Sequence, residues 1–133
     1  MNFVLTDDDD NELYRIKKKV VSVTPEFRIL QGRKKIGSLK KKITLTKPEV
    51  VGKVNKRSIH IGGSLQGCSF TITADDEPIA NVDAETLLWG DTCAIEIIKP
   101  EDEQLIVALA ILCDNIVKQS SGLIGDVVGP VKS

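Results

Sequence analysis

Apolar and polar residues alternate along most of the chain. The period of two runs through Tyr14/Ile16, Phe27/Ile29, Ile43/Leu45, Ile59/Ile61, Phe70/Ile72 and Cys93/Ile95/Ile97, and it is the signature of strands that bury one face. Turn-forming residues punctuate these runs at Asp7 to Asn11, Thr24 and Pro25, Gly32, Lys47 and Pro48, Gly62 and Gly63, Asp75 and Asp76, then Gly90 and Asp91. The pattern predicts about nine short strands and favours a barrel or a sandwich. A shift of 43 residues superposes Phe27 on Phe70, Ile29 on Ile72, Ile36 on Ile79, Gly37 on Ala80, Leu39 on Val82 and Leu45 on Leu88. The repeated unit is a hairpin, which cannot bury its face alone and needs another hairpin or a helix against it.

The helix is predicted at about 100–119. Pro100 suits a first helical position, and Glu101, Asp102 and Glu103 place negative charge at the positive end of the macrodipole. From Leu105 to Cys113 no polar residue interrupts the sequence. A helix apolar all round must be surrounded by protein. Its six Leu, Ile and Val residues, at ~1.5–3 kcal/mol each when fully buried, would contribute on the order of 10 kcal/mol. Leu105, Ile106, Leu109 and Leu112 are therefore assigned to the core. The fold class expected is mainly β (β+α), one domain over residues 1–119 with a flexible tail over 120–133.

Length changes little in this picture, since 133 residues bury a sufficient core in one domain. Charge changes it more. From Arg15 to Arg57 the chain has 15 basic residues against Glu26 and Glu49, a net charge of +13, while the remainder carries −14. The near-neutral total hides an electrostatic asymmetry. Cys68, Cys93 and Cys113 are odd in number and sit among apolar or small residues, which predicts buried thiols in a reducing compartment. Met1 to Asp10 has no signal-peptide pattern, no lipidation motif occurs, and the nine-residue run Leu105 to Cys113 is short for a bilayer. The expected location is cytoplasmic, or nuclear.

Several segments carry a more specific pattern: Glu12-Leu13-Tyr14-Arg15-Ile16-Lys17, Phe27-Arg28-Ile29, Ile36-Gly37-Ser38-Leu39-Lys40-Lys41-Lys42, and Pro78-Ile79-Ala80-Asn81-Val82. Trp89-Gly90-Asp91-Thr92 leads into Ile95-Glu96-Ile97, and Glu101-Asp102 precedes the Leu/Ala/Ile helix that closes on Asp114. Together they resemble the LURP-one-related proteins of the tubby C-terminal-like superfamily, to which the phospholipid scramblases also belong. The resemblance implies a twelve-stranded antiparallel tubby-like β-barrel threaded by a central hydrophobic C-terminal α-helix. Tubby domains bind phosphoinositides through a basic surface, though their lipid-binding residues have no residue-by-residue match here. Family domains usually carry further strands before the position matching Phe3. The barrel is then either shorter here or completed by a partner.

Candidate chemistry is sparse. His60 alternates out of phase with Ile59 and Ile61 and should face solvent, with no Cys, His or paired carboxylate at ligand spacing. Gly62 to Gly67 lacks the Gly-Lys-Ser/Thr ending of a phosphate loop and reads as a glycine-rich hairpin. Asp7 to Asp10 lacks the Gly and Glu of a calcium loop and reads as a solvated turn. Trp89 is expected to pack at the core or barrel rim, a ligand platform being the alternative. No catalytic or metal-binding residue is assigned and no cofactor is implied. Alternation directs Arg15, Lys17, Arg28, Lys40 and Lys42 outward, where neighbouring strands would pool them as a ligand-binding face. The alternative is an edge-strand or solubility device. The first expectation is a non-enzymatic module binding anionic phospholipid or phosphoinositide headgroups. The second is a protein-interaction or scaffold domain, self-associating in one version. Nucleic-acid binding ranks below both, because aromatic residues are only 4% of the chain and are not interleaved with the lysines.

Overall fold

The computed structural model describes residues 2–19, 26–42, 49–65, 69–87 and 90–120. Nine strands follow one another: β1 (Asn2–Thr6), β2 (Glu12–Lys19), β3 (Glu26–Gln31), β4 (Lys34–Lys42), β5 (Glu49–Val54), β6 (Arg57–Ser64), β7 (Ser69–Ala74), β8 (Glu77–Leu87) and β9 (Gly90–Ile97). They form one sheet in sequence order, each strand antiparallel to the next. A row of inward residues crosses it from Phe3 through Ile16, Ile29 and Gly37 to Val54. Gly37 is required there, because a Cβ would run into the Lys53 carbonyl and Val54 on β5.

Local chemistry sets the turns. Asn55-Lys56 and Asp75-Asp76 hold φ values of 52° and 67°, and 49° and 67°, the left-handed pair of a two-residue hairpin that Asn and Asp tolerate best. The Asp75 carboxylate also accepts the Ser58 N–H at 2.8 Å, tying this turn to β6. Between β1 and β2 the Asp7 Oδ1 accepts the N–H groups of Asp9 and Asn11, each at 2.9 Å. The bond from the Asn11 backbone is the main reason its carboxyl lies below the usual range. The acidic run is thus a self-bonded turn. Gly62 and Gly63, expected at a turn, lie within β6, and Gly90 and Asp91 begin β9. The Thr24-Pro25 and Lys47-Pro48 turns, the Leu45/Leu88 match, Cys68, Trp89 and the tail beyond Ser120 lie outside the described residues.

The 43-residue repeat is structural. Ile29 faces Gly37 and Leu30 faces Lys35, leaving Ile36 as the extra residue of a β-bulge. Ile72 faces Ala80 and Thr73 faces Pro78, leaving Ile79 in the same role. Both bulged isoleucines are buried, so each hairpin spends its irregularity on placing one more apolar side chain inward.

After Pro100–Asp102, a 3₁₀ turn, helix α1 runs over Glu103–Ser120. Leu105, Ile106, Ala108, Leu109, Leu112, Cys113 and Ile116 are buried and share one core with β1 to β8. All buried side chains of the described residues are apolar. The helix approaches both β2 and β8, so the sheet curls around it. Burial and the nearby Asp114 push the Cys113 thiol up to about 12, which leaves it inert near neutral pH.

Two expectations need correction. Nine strands are described where the resemblance implied twelve, and among the described residues no pairing joins β9 back to β1. The barrel is curled but open. The helix, correspondingly, is not enclosed on every side: Val107, Ala110, Ile111 and Val117 are half-buried. An open sheet cannot cover the full circumference of a helix.

The helix entrance is pinned by polar groups. Arg57, at the start of β6, donates to both Asp102 oxygens at 2.7 and 3.0 Å, with Asp102 only 13% exposed. The Ile79 carbonyl accepts the N–H groups of Ile98 and Lys99 at 2.9 and 3.2 Å. A bidentate pair in a half-sheltered place fixes orientation as well as energy. Arg57→Ala or Asp102→Asn should lower stability by about 1–2 kcal/mol, discounted for the one-third exposure of Arg57, with the double variant little worse than either in urea melts. Leu109→Asp has a larger expected effect. It buries an unpaired carboxylate at a cost of several kcal/mol, against a total stability of about 5–15, so circular dichroism should show no cooperative melt.

Candidate functional site

The five basic residues assigned to the site lie on the outward side of β2, β3 and β4. Arg15 and Lys17 flank buried Ile16, Arg28 lies between buried Phe27 and Ile29, and Lys40 and Lys42 continue the outward phase after buried Leu39. They are not equivalent. Arg15 is held by Glu12 at 2.8 Å, a bond that is the main cause of the Glu12 carboxyl lying below its usual range. Lys40 stands opposite Glu26, and Lys42 opposite Glu49. His60, exposed as expected, approaches the same Glu49 at 3.6 Å.

Lys17 and Arg28 have no such carboxylate opposite them. They face each other across β2 and β3, and the row continues from Arg28 to Ser38 on β4, then to Lys53 on β5. Three cations and a hydroxyl thus cross four adjacent strands. Neighbouring strands lie about 4.8 Å apart. Like charges directly opposite one another destabilise an antiparallel pair. Arg28 adds a second cost: its Nε is buried, yet among the described residues it has no hydrogen-bond partner. A buried unpartnered donor is expensive and unusual in a folded protein.

Sequence reasoning missed Lys53 and Ser38. Lys53 was readable in principle, because it alternates with Val54 along β5; its place beside Arg28 depends on register across three strands and was not. Glu26 and Glu49 were read as minor exceptions in a basic segment. They instead stand against Lys40 and Lys42 of β4, so the least compensated part of the face lies toward Lys17, Arg28 and Lys53.

No group of three or more His, Cys, Asp or Glu side chains that could hold a metal ion occurs among the described residues. None of their helices is long and apolar enough to cross a membrane.

The model of the LURP-one-related family matches residues 2–114. The chain is also 30% identical over 112 residues to the uncharacterized protein YxjI of Bacillus subtilis (strain 168), an overlap that covers 84% of this chain and 68% of that relative. No solved structure matches the chain.

Neither description names a ligand, so the row is judged on its own chemistry. If Arg28 is held at a cost to the fold, replacing it with an apolar side chain of similar length relieves both the repulsion from Lys17 and the unpartnered Nε. Arg28→Met should leave the melting temperature unchanged or raise it, by up to about 1 kcal/mol in stability. A marked loss in a calorimetric melt would mark Arg28 as structural.

Proposed function

The chain belongs to the LURP-one-related family, and from that premise we propose that it is a non-enzymatic binding module whose outward β2–β5 face meets anionic phospholipid headgroups, phosphoinositides among them. The observation that carries this reading is the Lys17–Arg28 pair, two cations face to face across β2 and β3. A phosphate group supplies the counter-charge that the pair lacks. It accepts hydrogen bonds from the guanidinium, neutralises both charges, and leaves oxygens within reach of Ser38 and Lys53. Arg15, Lys40 and Lys42 surround the row at longer range and add attraction without a defined geometry.

Each such charge near an anionic membrane surface contributes on the order of 1 kcal/mol, screened by salt beyond about 10 Å. Contact of this kind is peripheral, made by side chains of an already folded sheet. A second reading, a protein-interaction domain, draws on a different observation: the two unpaired edges of the sheet.

Vesicle co-sedimentation tests the first reading. At low salt the protein should pellet with phosphoinositide-containing vesicles and stay in the supernatant with neutral ones. Replacing Lys17 and Arg28 together by Ala and Met should weaken binding on the order of 30-fold, as two charges at ~1 kcal/mol each imply. Equal behaviour with both kinds of vesicle would end this reading.

A further inference from the structure

The chain has one histidine, and the sheet places it at the border of the basic face. His60 is outward on β6, beside the strand that carries Lys53, and its side chain is 47% exposed. Its row runs back through Val51 on β5 to Lys40 on β4. Histidine is the side chain whose ordinary titration falls between about pH 5 and 8. Lysine, arginine and carboxylate side chains ordinarily titrate outside that range.

The imidazole does not stand straight out from the sheet. Val50 pairs with Ile61, so the next outward positions along these strands, Glu49 and Gly62, adjoin one another. The His60 Nε2 lies 3.6 Å from the Glu49 carboxylate, and the ring reaches it by lying over Gly62. A Cβ on Gly62 would stand 2.7 Å from the His60 Cε1. Gly62 does not have a positive φ, so the backbone does not call for glycine at this position. The ring does, because a residue without a Cβ leaves it room to meet Glu49.

The described charged groups around the ring come from three strands. β5 contributes Glu49 on one diagonal and Lys53 on the other, and β4, one strand further, contributes Lys40 and Lys42. On β7 the outward neighbours are Thr71 and Thr73, and Asp75 beyond them accepts the Ser58 N–H. Glu49 is also the residue opposite Lys42. Its negative charge therefore subtracts from the basic face while the imidazole is neutral. A proton on His60 cancels that charge where it stands.

Resting on the headgroup reading, we propose that Glu49 and His60 make binding to anionic phospholipid proton-dependent. The carboxylate restrains binding at neutral pH, and protonation of the imidazole lifts the restraint. The sign follows from charge alone. With His60 neutral the Glu49–His60 pair carries one negative charge; with His60 protonated it carries none, so the face becomes more positive as pH falls. The groups involved lie within about 10 Å of the β5 cations, inside the screening length. No rearrangement of the sheet is needed, since only a proton is gained.

Co-sedimentation with phosphatidylglycerol vesicles at about pH 7.5 and about pH 5.5, the interval across which histidine titrates, tests this. Phosphatidylglycerol is a phosphodiester and keeps its single charge over that interval, whereas a phosphomonoester headgroup, with a pKa of about 6, would titrate as well. The wild type should bind about fivefold more tightly at the lower pH, the factor that one charge near an anionic surface carries. His60→Gln should bind at both pH values as the wild type does at the higher one. Glu49→Gln should bind about fivefold more tightly than the wild type at the higher pH and still respond to acid, because its histidine remains. Circular dichroism melts of both variants should match the wild type, which separates a charge effect from unfolding. Equal wild-type binding at the two pH values overturns the switch and leaves the headgroup reading in place. So does a response that survives His60→Gln, or a Glu49→Gln variant no tighter than wild type at the higher pH. Binding at neither pH ends the headgroup reading and the switch together.

Discussion

Burial of helix α1 against the inner side of the sheet is the interaction on which everything else in this molecule depends. In a closed barrel the hydrogen bonds around the circumference hold the curvature. Here, among the described residues, β1 and β9 are not paired with each other, so curvature must come from what the sheet wraps. The helix supplies it, by presenting Leu105, Ile106, Leu109 and Leu112 to rows of Ile, Val and Phe from one side of the sheet to the other. Neither part is stable without its partner. The apolar inner face of nine strands and the apolar run Leu105 to Cys113 of the helix would each expose surface that water disfavours by about 25 cal/mol for every Å². The Arg57–Asp102 pair and the Ile79 carbonyl then decide where the helix enters, which burial alone leaves undetermined because it has no direction.

The outward face inherits its geometry from that core. A one-residue slip in any strand would turn its lysines inward and its isoleucines outward, so the register that buries Ile16, Phe27, Ile29 and Leu39 also sets Lys17 opposite Arg28 and carries the row on to Lys53. The matched bulges at Ile36 and Ile79 reinforce this, since each fixes the pairing of its hairpin at a point where sliding would strand the extra residue. The row of cations on this face thus needs no ordering of its own backbone. Its cost lies in the repulsion between Lys17 and Arg28 and in the unpartnered Arg28 Nε.

What was legible in the sequence follows from the range of each interaction. Strand phase, the helix and its acidic start, the Asp75-Asp76 turn and the 43-residue repeat are local periodicities or spacings, and residues near one another in sequence report them. The turn at Asn55-Lys56 was overlooked for the more conspicuous Gly62-Gly63, because glycine was read as a turn signal when in β6 it serves close strand approach: a Cβ on Gly63 would meet the Ser69 carbonyl at 2.6 Å. The Arg57–Asp102 pair spans 45 positions, and no pattern links its members. The open sheet was equally hidden, since alternation is the same in a strand with two neighbours as in a strand with one. Of the basic face, alternation could assign residues to the outward side. It could not say which lysines have a carboxylate opposite, and that distinction separates Lys40 and Lys42 from Lys17 and Arg28.

The strand order gives the charge asymmetry its meaning. In a fold with crossover connections, a basic stretch and an acidic remainder would be interleaved across the sheet, and their fields would largely cancel within a Debye length of about 10 Å. This sheet is a meander in which sequence order is spatial order. The segment from Arg15 to Arg57 therefore becomes β2 to the start of β6, side by side, and the acids of β8 and β9 gather at the far edge. The basic residues thus fall on adjacent strands, between the acidic β1–β2 turn and the acids Asp83 and Glu96 of β8 and β9. Lys17, Arg28, Lys40 and Lys53 lie over strands paired on both sides. On β9, Ile95 stands opposite buried Val82 and is 36% exposed at the edge of the described sheet. The basic outward side of β2 to β5 and the β9 edge are thus separate surfaces of one sheet.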